Sequence, residues 1–286
     1  MKQKKVNYSI GYRQWKKFKR NKLALAALIV LLIMLLMCIF APLLTSYDPE
    51  GISLKERDQP PSFQHILGTD KTGRDVFTRL LYGGRISMAI GLSGALGGAI
   101  IGSVLGCISG YFGGWGDRLL VRIAEVFSSF PQTILVLAMV AFMGQGLKNL
   151  FIVFWSTGWM GTFRLVRARV MSVREENFVQ ACDAFGLPHR SIMFNHILPN
   201  CIGPVIVNTT LAIAGYVLSE SGLSFLGLGV PNSIPTWGNI INAAKTLTVV
   251  QESPWLWLAP GITISIFAMC VNVMGDGLRD ALDPNQ

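Results

Sequence analysis

Residues 23–44 read LALAALIVLLIMLLMCIFAPLL, a run of 22 residues without a charged side chain. Fourteen of them are Leu, Ile, Val or Phe, and a helix needs about 20 predominantly apolar residues to cross the hydrocarbon core of a membrane. A cleaved signal peptide has a shorter apolar region, of about 7–15 residues, followed by a cleavage site between small residues. Neither property fits, so this run predicts an uncleaved first transmembrane helix.

The composition of the whole chain points the same way. Of its 286 residues, 51% are hydrophobic and 14% are charged, with a mean hydropathy of +0.46. Soluble domains carry about 25% charged residues, so the composition excludes a water-soluble globule. We predict an all-α, polytopic membrane protein with six transmembrane helices. Five of them follow the first run, at about 86–110, 119–143, 149–168, 201–222 and 255–275.

The basic residues predict the orientation. The net charge is +9, and nine Lys or Arg residues lie in the first 22 positions, which contain no acidic residue. Placing both termini in the cytoplasm puts 17 basic residues inside and 8 outside, as the positive-inside rule requires. The excess of basic residues therefore reflects membrane topology and does not indicate a nucleic-acid partner. The predicted segments are a basic cytoplasmic N-terminus at 1–22, a first helix at 23–44, an extracytoplasmic loop at 45–84, a five-helix core at 85–276 and a cytoplasmic tail at 277–286.

The predicted outer loop at 222–254 is rich in Gly, Pro and Trp and carries few charges. It is too apolar for an ordinary exposed loop. We expect it to be partly re-entrant or interfacial, with Trp237, Trp255 and Trp257 at the level of the lipid headgroups.

Glycines recur every four residues in the second predicted span. This spacing puts them on one helix face, where another backbone can approach closely. The face either packs inside the same bundle or forms a dimer contact, and the spacing fits both. The glycines are Gly94, Gly98, Gly102, Gly106 and Gly110.

The predicted cytoplasmic loop at 172–199 has the pattern of two short helices joined by a turn. Ser172 and Glu175 have the spacing of an N-terminal capping box, and Gly186 suits the position after a helix end. The second helix is predicted to end at Pro199. The apolar face either lies on the membrane surface or docks a soluble partner. Its residues are Phe178, Ala181, Cys182 and Phe185.

The five cysteines and three histidines form no CxxC motif and no ligand cluster. Four of the cysteines lie in or at the edge of apolar stretches, where free thiols are normally packed. We therefore predict neither a disulfide framework nor a metal site.

The cytoplasmic loop resembles the coupling loop of importer-type ATP-binding cassette permeases. That motif runs Glu-Ala-Ala, three residues, Gly, nine residues, an apolar residue, one residue and Leu-Pro. The spacing matches throughout, while Gln180 replaces Glu, Cys182 replaces the second Ala, and His196 occupies the apolar position. The matching residues are Ala181, Gly186, Leu198 and Pro199.

Five further stretches narrow the resemblance to the C-type permease subunit of dipeptide, oligopeptide and nickel importers. They are spread over nearly the whole chain, and together they are far more specific than any one alone. The stretches are WKKFKRNKLAL at 15–25, LGTDKTGRD at 67–75, LSFLGLG at 223–229, PTWG at 235–238 and GDGLRDALDP at 275–284.

The resemblance implies a type I importer permease in the bacterial plasma (inner) membrane. It also implies a heterodimer with a second related permease, two cytoplasmic ATPase subunits and an extracytoplasmic substrate-binding protein. The chain has no Gly-Lys dipeptide, hence no phosphate-binding P-loop. We expect ATP and Mg²⁺ on the partner subunits, no cofactor on this chain and no enzymatic activity. The residues expected to receive the ATPases are Phe178, Gln180, Ala181, Cys182, Phe185, Gly186, His196, Leu198 and Pro199.

Peptides are the favoured cargo because peptide importers dominate the resemblance, with nickel or a metal chelate as the alternative. Ser219, Glu220 and Ser221, near the outer end of the fifth predicted span, are candidates for the translocation path. An acid in a span faces the bundle interior or water, which places Glu220 against the amino terminus of a peptide. The alternative role for Glu220 is a structural hydrogen bond to a neighbouring helix.

Two other classes of function fit less well. A secondary transporter would need buried ionisable residues in several spans and an inverted repeat, and a membrane-embedded hydrolase would need a nucleophile and base or metal ligands inside the bundle. The sequence shows neither pattern.

Overall fold

The protein's structure is a computed structural model that describes residues 10–283. Within that range the chain is helical and contains no strand. The first nine residues of the predicted basic N-terminus and the last three of the predicted tail lie outside it. The helices are α1 (Ile10–Arg20), α2 (Lys22–Ile39), α3 (Ala41–Leu44), α4 (Val76–Phe112), α5 (Gly114–Ser128), α6 (Gln132–Met143), α7 (Leu147–Arg174), α8 (Asn177–Ala184), α9 (His189–Ser191), α10 (Ile202–Phe225), α11 (Trp237–Asn242), α12 (Leu247–Glu252) and α13 (Trp255–Leu282).

Four helical stretches in the described part of the chain are long and apolar enough to cross a membrane. The pair α5 and α6, bent by 89°, makes a fifth if the two count as one span. The predicted all-α polytopic fold is therefore confirmed. The remaining predicted span lies in α7, which is long enough but carries four arginines in its inner half, so the count of six stays a prediction. The four stretches are Lys22–Ile39, Val76–Phe112, His189–Phe225 and Trp255–Leu282.

The second span begins about ten residues earlier than predicted. Because α4 starts at Val76, the outer loop ends at residue 75 and not at 84. Asp75 caps the helix, since its carboxylate accepts a 2.7 Å hydrogen bond from the backbone N–H of Thr78. Arg79 and Arg85 interrupt the apolar run, so this part of the helix was not predicted as part of the span. Arg79 donates to a backbone carbonyl of the outer segment, and Arg85 donates to one of α2. Both guanidinium groups are therefore hydrogen-bonded by protein.

The third predicted span, 119–143, is interrupted. α5 ends at Ser128 and α6 begins at Gln132, with Pro131 between them at φ −55° and ψ 127°. A proline has no backbone N–H, and it disfavours helical geometry in the residue that precedes it. The helix therefore stops before Pro131 and restarts in a new direction.

The end of α13 extends into the predicted tail. The helix continues to Leu282, although the tail was predicted to begin at 277. Gly277 lies so close to Ala24 of α2 that a Cβ there would overlap the alanine methyl group. Phe18 of α1 completes a small core with Ala24 and Ala281. The last turns of α13 are therefore held by α1 and α2.

The glycine face of α4 packs inside the bundle, against α7. A Cβ added at Gly102 would lie 2.5 Å from the carbonyl oxygen of Trp159. Three other glycines approach backbone oxygens of α7 in the same way, and Gly94 faces the ring of Tyr216 in α10. The close approach requires glycine because any side chain would collide with backbone. The three are Gly98, Gly106 and Gly110.

The outer loop packs onto the bundle. Trp237, at the start of α11, is buried, and its indole N–H donates a 3.0 Å hydrogen bond to the carbonyl of Leu80. Trp237 therefore does not face lipid, because α11 fills the space between the outer parts of α4, α10 and α13. Trp255 donates to the carbonyl of Thr69, and Trp257 is partly exposed.

The segment that precedes α4 is braced by Asp70. Burial raises the pKa of this carboxyl, but hydrogen bonds from Thr72 and the charge of Arg74 outweigh burial and hold the pKa below its ordinary value. Arg74 also donates to the carbonyl of Asn232, at 3.4 Å. The two outer segments are thereby joined.

Candidate functional site

The short helix α8 presents most of the predicted coupling residues to the surface. Phe178 and Phe185 are 42% and 84% exposed, although large apolar side chains are normally buried. Gln180, Ala181 and Gly186 are exposed as well, and Cys182 is half-buried. A projecting pair of aromatic rings on a polar background is typical of a protein docking surface.

The end of α8 has the geometry predicted for it. Gly186 has φ +71° and donates from its N–H to the carbonyl of Asp183, at 2.9 Å. The N–H of Leu187 donates to the carbonyl of Cys182, at 3.1 Å. These two bonds form a Schellman motif, in which glycine is favoured because of the positive φ.

The base of α8 is fixed to the inner ends of the long helices. Val179 is buried in a cluster to which α4 contributes Cys107, and to which α7 contributes Val170 and Val173. Leu187 packs against the same cluster. The exposed aromatic rings therefore stand on a base that is continuous with α4 and α7.

The beginning of the loop differs from the prediction. α7 continues to Arg174, Glu175 caps its C-terminal end, and α8 begins only at Asn177. The predicted capping box of Ser172 and Glu175 is therefore wrong. The helix continues because Val173 is buried in the core cluster, and unwinding α7 at Ser172 would expose it.

The end of the loop differs too, because no helix ends at Pro199. A π turn at Ile192–Ile197 and a 3₁₀ turn at Leu198–Cys201 join α9 to α10 in one helical stretch. Pro199 sits in the first turn of the 3₁₀ segment, where a proline is tolerated. His196 is half-buried and donates from Nδ1 to a backbone carbonyl of the preceding turn, at 3.2 Å.

The three candidates in α10 point in different directions. Glu220 is fully buried and accepts hydrogen bonds from Ser224, at 2.8 Å, and from Ser87 of α4, at 3.3 Å. Ser87 in turn accepts a bond from the backbone N–H of Trp237. Glu220 therefore links α4, α10 and α11 through hydrogen bonds. This is the structural role predicted from the sequence as the alternative to a peptide contact. Ser221 is buried as well, and Ser219 alone of the three is exposed.

Ser219 lies at the junction of two cavities beside α10. The inner cavity, of about 470 Å³, lies where α5 breaks into α6, and α7 and α10 line it. The outer cavity, of about 290 Å³, lies between α6 and α10 and is mostly apolar. Gln132 and Ser219 line both. The uncharged polar residues of the inner cavity are Ser128, Gln132, Thr157, Asn208, Tyr216 and Ser219.

One face of α10 follows the two cavities from end to end. Its residues are small or polar and recur at spacings of three and four, which is one side of a helix. From Asn208 to Gly222 the face rises about 21 Å, at 1.5 Å per residue, or roughly two thirds of a 30 Å hydrocarbon core. This face was not predicted from the sequence, although its spacing is visible there. The residues are Asn208, Ala212, Gly215, Ser219 and Gly222.

Comparison with known proteins places the chain in a family. Residues 102–286 match the family described as binding-protein-dependent transport system inner membrane component. Residues 9–61 match the family described as the N-terminal transmembrane domain of oligopeptide transport permease C. The chain belongs to the binding-protein-dependent permeases. This confirms the resemblance that the coupling loop and the five other stretches indicated.

This permease resembles named relatives over nearly its whole length. It is 42% identical over 270 residues to the dipeptide transport system permease protein of Alkalihalophilus pseudofirmus, covering 94% of this chain and 88% of the relative. It is 38% identical over 268 residues to the oligopeptide transport system permease protein of Bacillus subtilis (94% and 87%). The corresponding protein of Haemophilus influenzae is 38% identical over 271 residues (94% and 86%).

Family and structure together give the location and class of the permease. The family consists of inner membrane components of bacterial transport systems, and the apolar helices make this member a multi-pass protein of that membrane. It is a transport protein and not an enzyme.

Proposed function

We propose that this permease pairs with a second, related permease to form the path of an ATP-driven importer for di- and oligopeptides. An extracytoplasmic binding protein delivers the peptide. Two cytoplasmic ATPase subunits bind and hydrolyse ATP with Mg²⁺, and this chain holds no cofactor of its own.

The cargo is supported by relatives and by chemistry. The relatives compared above are named for dipeptide or oligopeptide transport. The inner cavity is lined by hydroxyl and amide groups, which suit a peptide backbone, and none of its described lining residues is Asp, Glu, His or Cys. Nickel or a metal chelate is therefore less favoured, because protein sites hold such metals through those side chains.

The single observation that carries the coupling proposal is an exposed aromatic pair on a fixed base. Phe178 and Phe185 project from α8, while Val179 anchors α8 to α4 and α7. A force applied to the rings by a closing ATPase therefore reaches α7 directly. Arg164, ten residues before the inner end of α7, already lines the inner cavity. Movement of α8 thus changes the shape of the path.

The path itself is proposed to follow the small and polar face of α10. Ser219 belongs to it because it lines both cavities. Glu220 does not, because its carboxylate is enclosed between α4, α10 and α11. Peptide would pass from the apolar outer cavity to the polar inner one and leave beside the break between α5 and α6.

The test is Phe185→Asp in the complete importer, reconstituted with its binding protein. We expect peptide uptake to fall at least about tenfold, the scale of losing one aromatic anchor from an interface. Binding-protein-stimulated ATP hydrolysis should fall with it, while the amount of permease in the membrane stays normal.

The matched control is Trp115→Asp. It makes the same exchange of an exposed aromatic ring for a carboxylate, in the first turn of α5 and outside the 172–199 loop, and should leave uptake within about twofold of the wild type. Normal uptake by Phe185→Asp at normal expression would show that α8 does not couple the permease to its ATPases.

A further inference from the structure

We propose that Arg164 binds the C-terminal carboxylate of the peptide as it passes through the inner cavity. This inference rests on the proposed function, because it requires the cavity to be part of the path. It goes further by naming the group on the peptide that is recognised and the residue that recognises it.

Arg164 is distinguished first by its charge. Among the described residues that line the inner cavity, it is the one charged side chain. Its side chain is exposed, so the charge is accessible from the cavity. Arg164 has no acidic partner within 4.0 Å anywhere in residues 10–283.

Other arginines of the same region do have acidic partners. Arg167, one turn further along α7, forms a two-pronged ion pair with Asp117 of α5, at 2.5 and 2.7 Å. Arg122 of α5 pairs with Glu125, at 2.8 Å. Among the described residues, Arg118, Arg169 and Arg174 also have no acidic partner within 4.0 Å, so what sets Arg164 apart is that it is the arginine of α5 and α7 that lines the inner cavity.

Arg164 also has hydrogen-bonding capacity to spare. Its two bonds both come from Nη2, one to the carbonyl of Ala124, at 3.3 Å, and one to the hydroxyl of Ser128. A guanidinium has five N–H donors, and Nε and Nη1 donate to no residue that the structure describes. An arginine with free donors is well matched to a carboxylate, which accepts two parallel bonds.

A C-terminal carboxylate is the anion that all linear peptides share. An importer that accepts many sequences needs contacts that do not depend on side chains, and the hydroxyl and amide groups around Arg164 supply such contacts to the backbone. The cavity extends along α10 from Asn208 to Ser219, about 16 Å at 1.5 Å per residue. That length holds four or five extended residues at about 3.3–3.6 Å each.

The competing role for Arg164 is purely structural. Ser128 is the last residue of α5 and Ala124 lies one turn before it, and a cation near the C-terminal end of a helix is favourable. On that account Arg164 would only fix the broken end of α5. The two roles predict different dependence on the substrate, which makes them separable.

The experiment compares two substrates in two transporters. The complete importer is reconstituted in proteoliposomes with its binding protein, and uptake is measured for trialanine and for trialanine amide, which lacks the carboxylate. Each is supplied at a concentration that saturates the binding protein, as determined by tryptophan fluorescence. Wild-type importer is compared with Arg164→Gln, which removes the charge and keeps an N–H donor.

We expect Arg164→Gln to slow the uptake of trialanine by roughly tenfold, the scale of one charge-assisted contact, and to leave trialanine amide within about twofold of the wild type. Arg164→Lys should give an intermediate loss, because lysine keeps the positive charge but cannot donate the two parallel hydrogen bonds of a guanidinium. Arg122→Gln, the same change at an arginine outside the cavity, should slow neither peptide.

Equal slowing of both peptides by Arg164→Gln would overturn the inference in favour of the structural role, and no slowing of either would show that peptide does not meet Arg164. In both cases the wild-type importer still transports peptide, so the proposed function stands. If wild-type importer moves neither peptide, the proposed function itself fails.

Discussion

The two sides of α7 both carry or face glycines, yet they differ in character. Toward α4, the glycines at 98, 102, 106 and 110 are pressed against α7 so tightly that a Cβ would lie within 2.8 Å of a backbone oxygen. Toward α6 and α10, Gly161, Gly215 and Gly222 have no atom within 4 Å of the position a Cβ would take.

This difference teaches that small residues in a span have two opposite uses. Against α4, glycine removes side chains so that two backbones can touch and gain dispersion energy, which is what drives helix association in lipid. At Gly161, Gly215 and Gly222, glycine leaves open space where a side chain would otherwise stand. The first use builds the bundle, and the second keeps a passage open.

The largest difference between the two kinds of glycine is expected for Gly102→Val and Gly161→Val. At Gly102 the new side chain meets the carbonyl of Trp159 and the backbone of Phe163, so we expect a destabilisation of more than about 2 kcal/mol and little folded permease. At Gly161 the same side chain enters open space, and the amount of folded permease should be near that of the wild type.

The measurement for this pair is the monodisperse fraction after detergent extraction, by size-exclusion chromatography of tagged permease. Equal yields of the two variants would mean that the packing of α4 on α7 does not limit assembly.

The next largest effect is expected from Gly215→Trp, which tests the open side. An indole in a cavity of about 470 Å³ occupies much of the space beside Tyr216, so we expect peptide uptake to fall at least about tenfold while folded protein persists, since Trp has a buried surface of about 150–250 Å². Gly215→Ala is the control and should transport within about twofold of the wild type.

Uptake and extracted protein should be measured on the same membranes, so that a loss of transport is not mistaken for a loss of permease. Unimpaired uptake by Gly215→Trp would place the path somewhere other than along α10.

Much of the fold is visible in the sequence, because lipid imposes long apolar runs. The runs predict both ends of α10, and the first residues of α2 and α13, to within three residues. An apolar run does not reveal the full length of a helix where the helix includes a charged side chain that is hydrogen-bonded by other parts of the protein. Arg79 and Arg85 conceal the first turns of α4 because their partners are backbone carbonyls contributed by distant segments.

The break at Pro131 is concealed for a different reason. The average hydropathy of 119–143 depends only on composition, so it gives no sign of the 89° bend between α5 and α6. A proline within a span is often tolerated, because neighbouring helices compensate for the missing bond. Only the packing around it decides whether the helix continues.

The candidate site was predicted in part. Its exposed loop, with Gly186 after the helix, follows from local turn chemistry, which depends on a few adjacent residues. The cavity does not follow from the sequence, since the face at 208–222 of α10 and the stripe at 94–110 of α4 show similar spacing of small residues. What separates them is the opposing helix, and spacing along one chain does not identify it.

The smallest effect is expected at the second arginine of α7, and it sharpens the distinction between the two sides. Asp117→Asn removes the carboxylate that holds Arg167, so stability should fall by about 1 kcal/mol, the usual scale of polar contacts between membrane helices. Thermal aggregation of the extracted permease measures that loss. Uptake per folded molecule, and the ratio of trialanine to trialanine amide, should stay at wild-type values, because Arg167 lies outside the cavity lining even when its acid is removed. A change in that ratio would show that the passing carboxylate meets both arginines, and the contrast between a paired Arg167 and an available Arg164 would no longer hold.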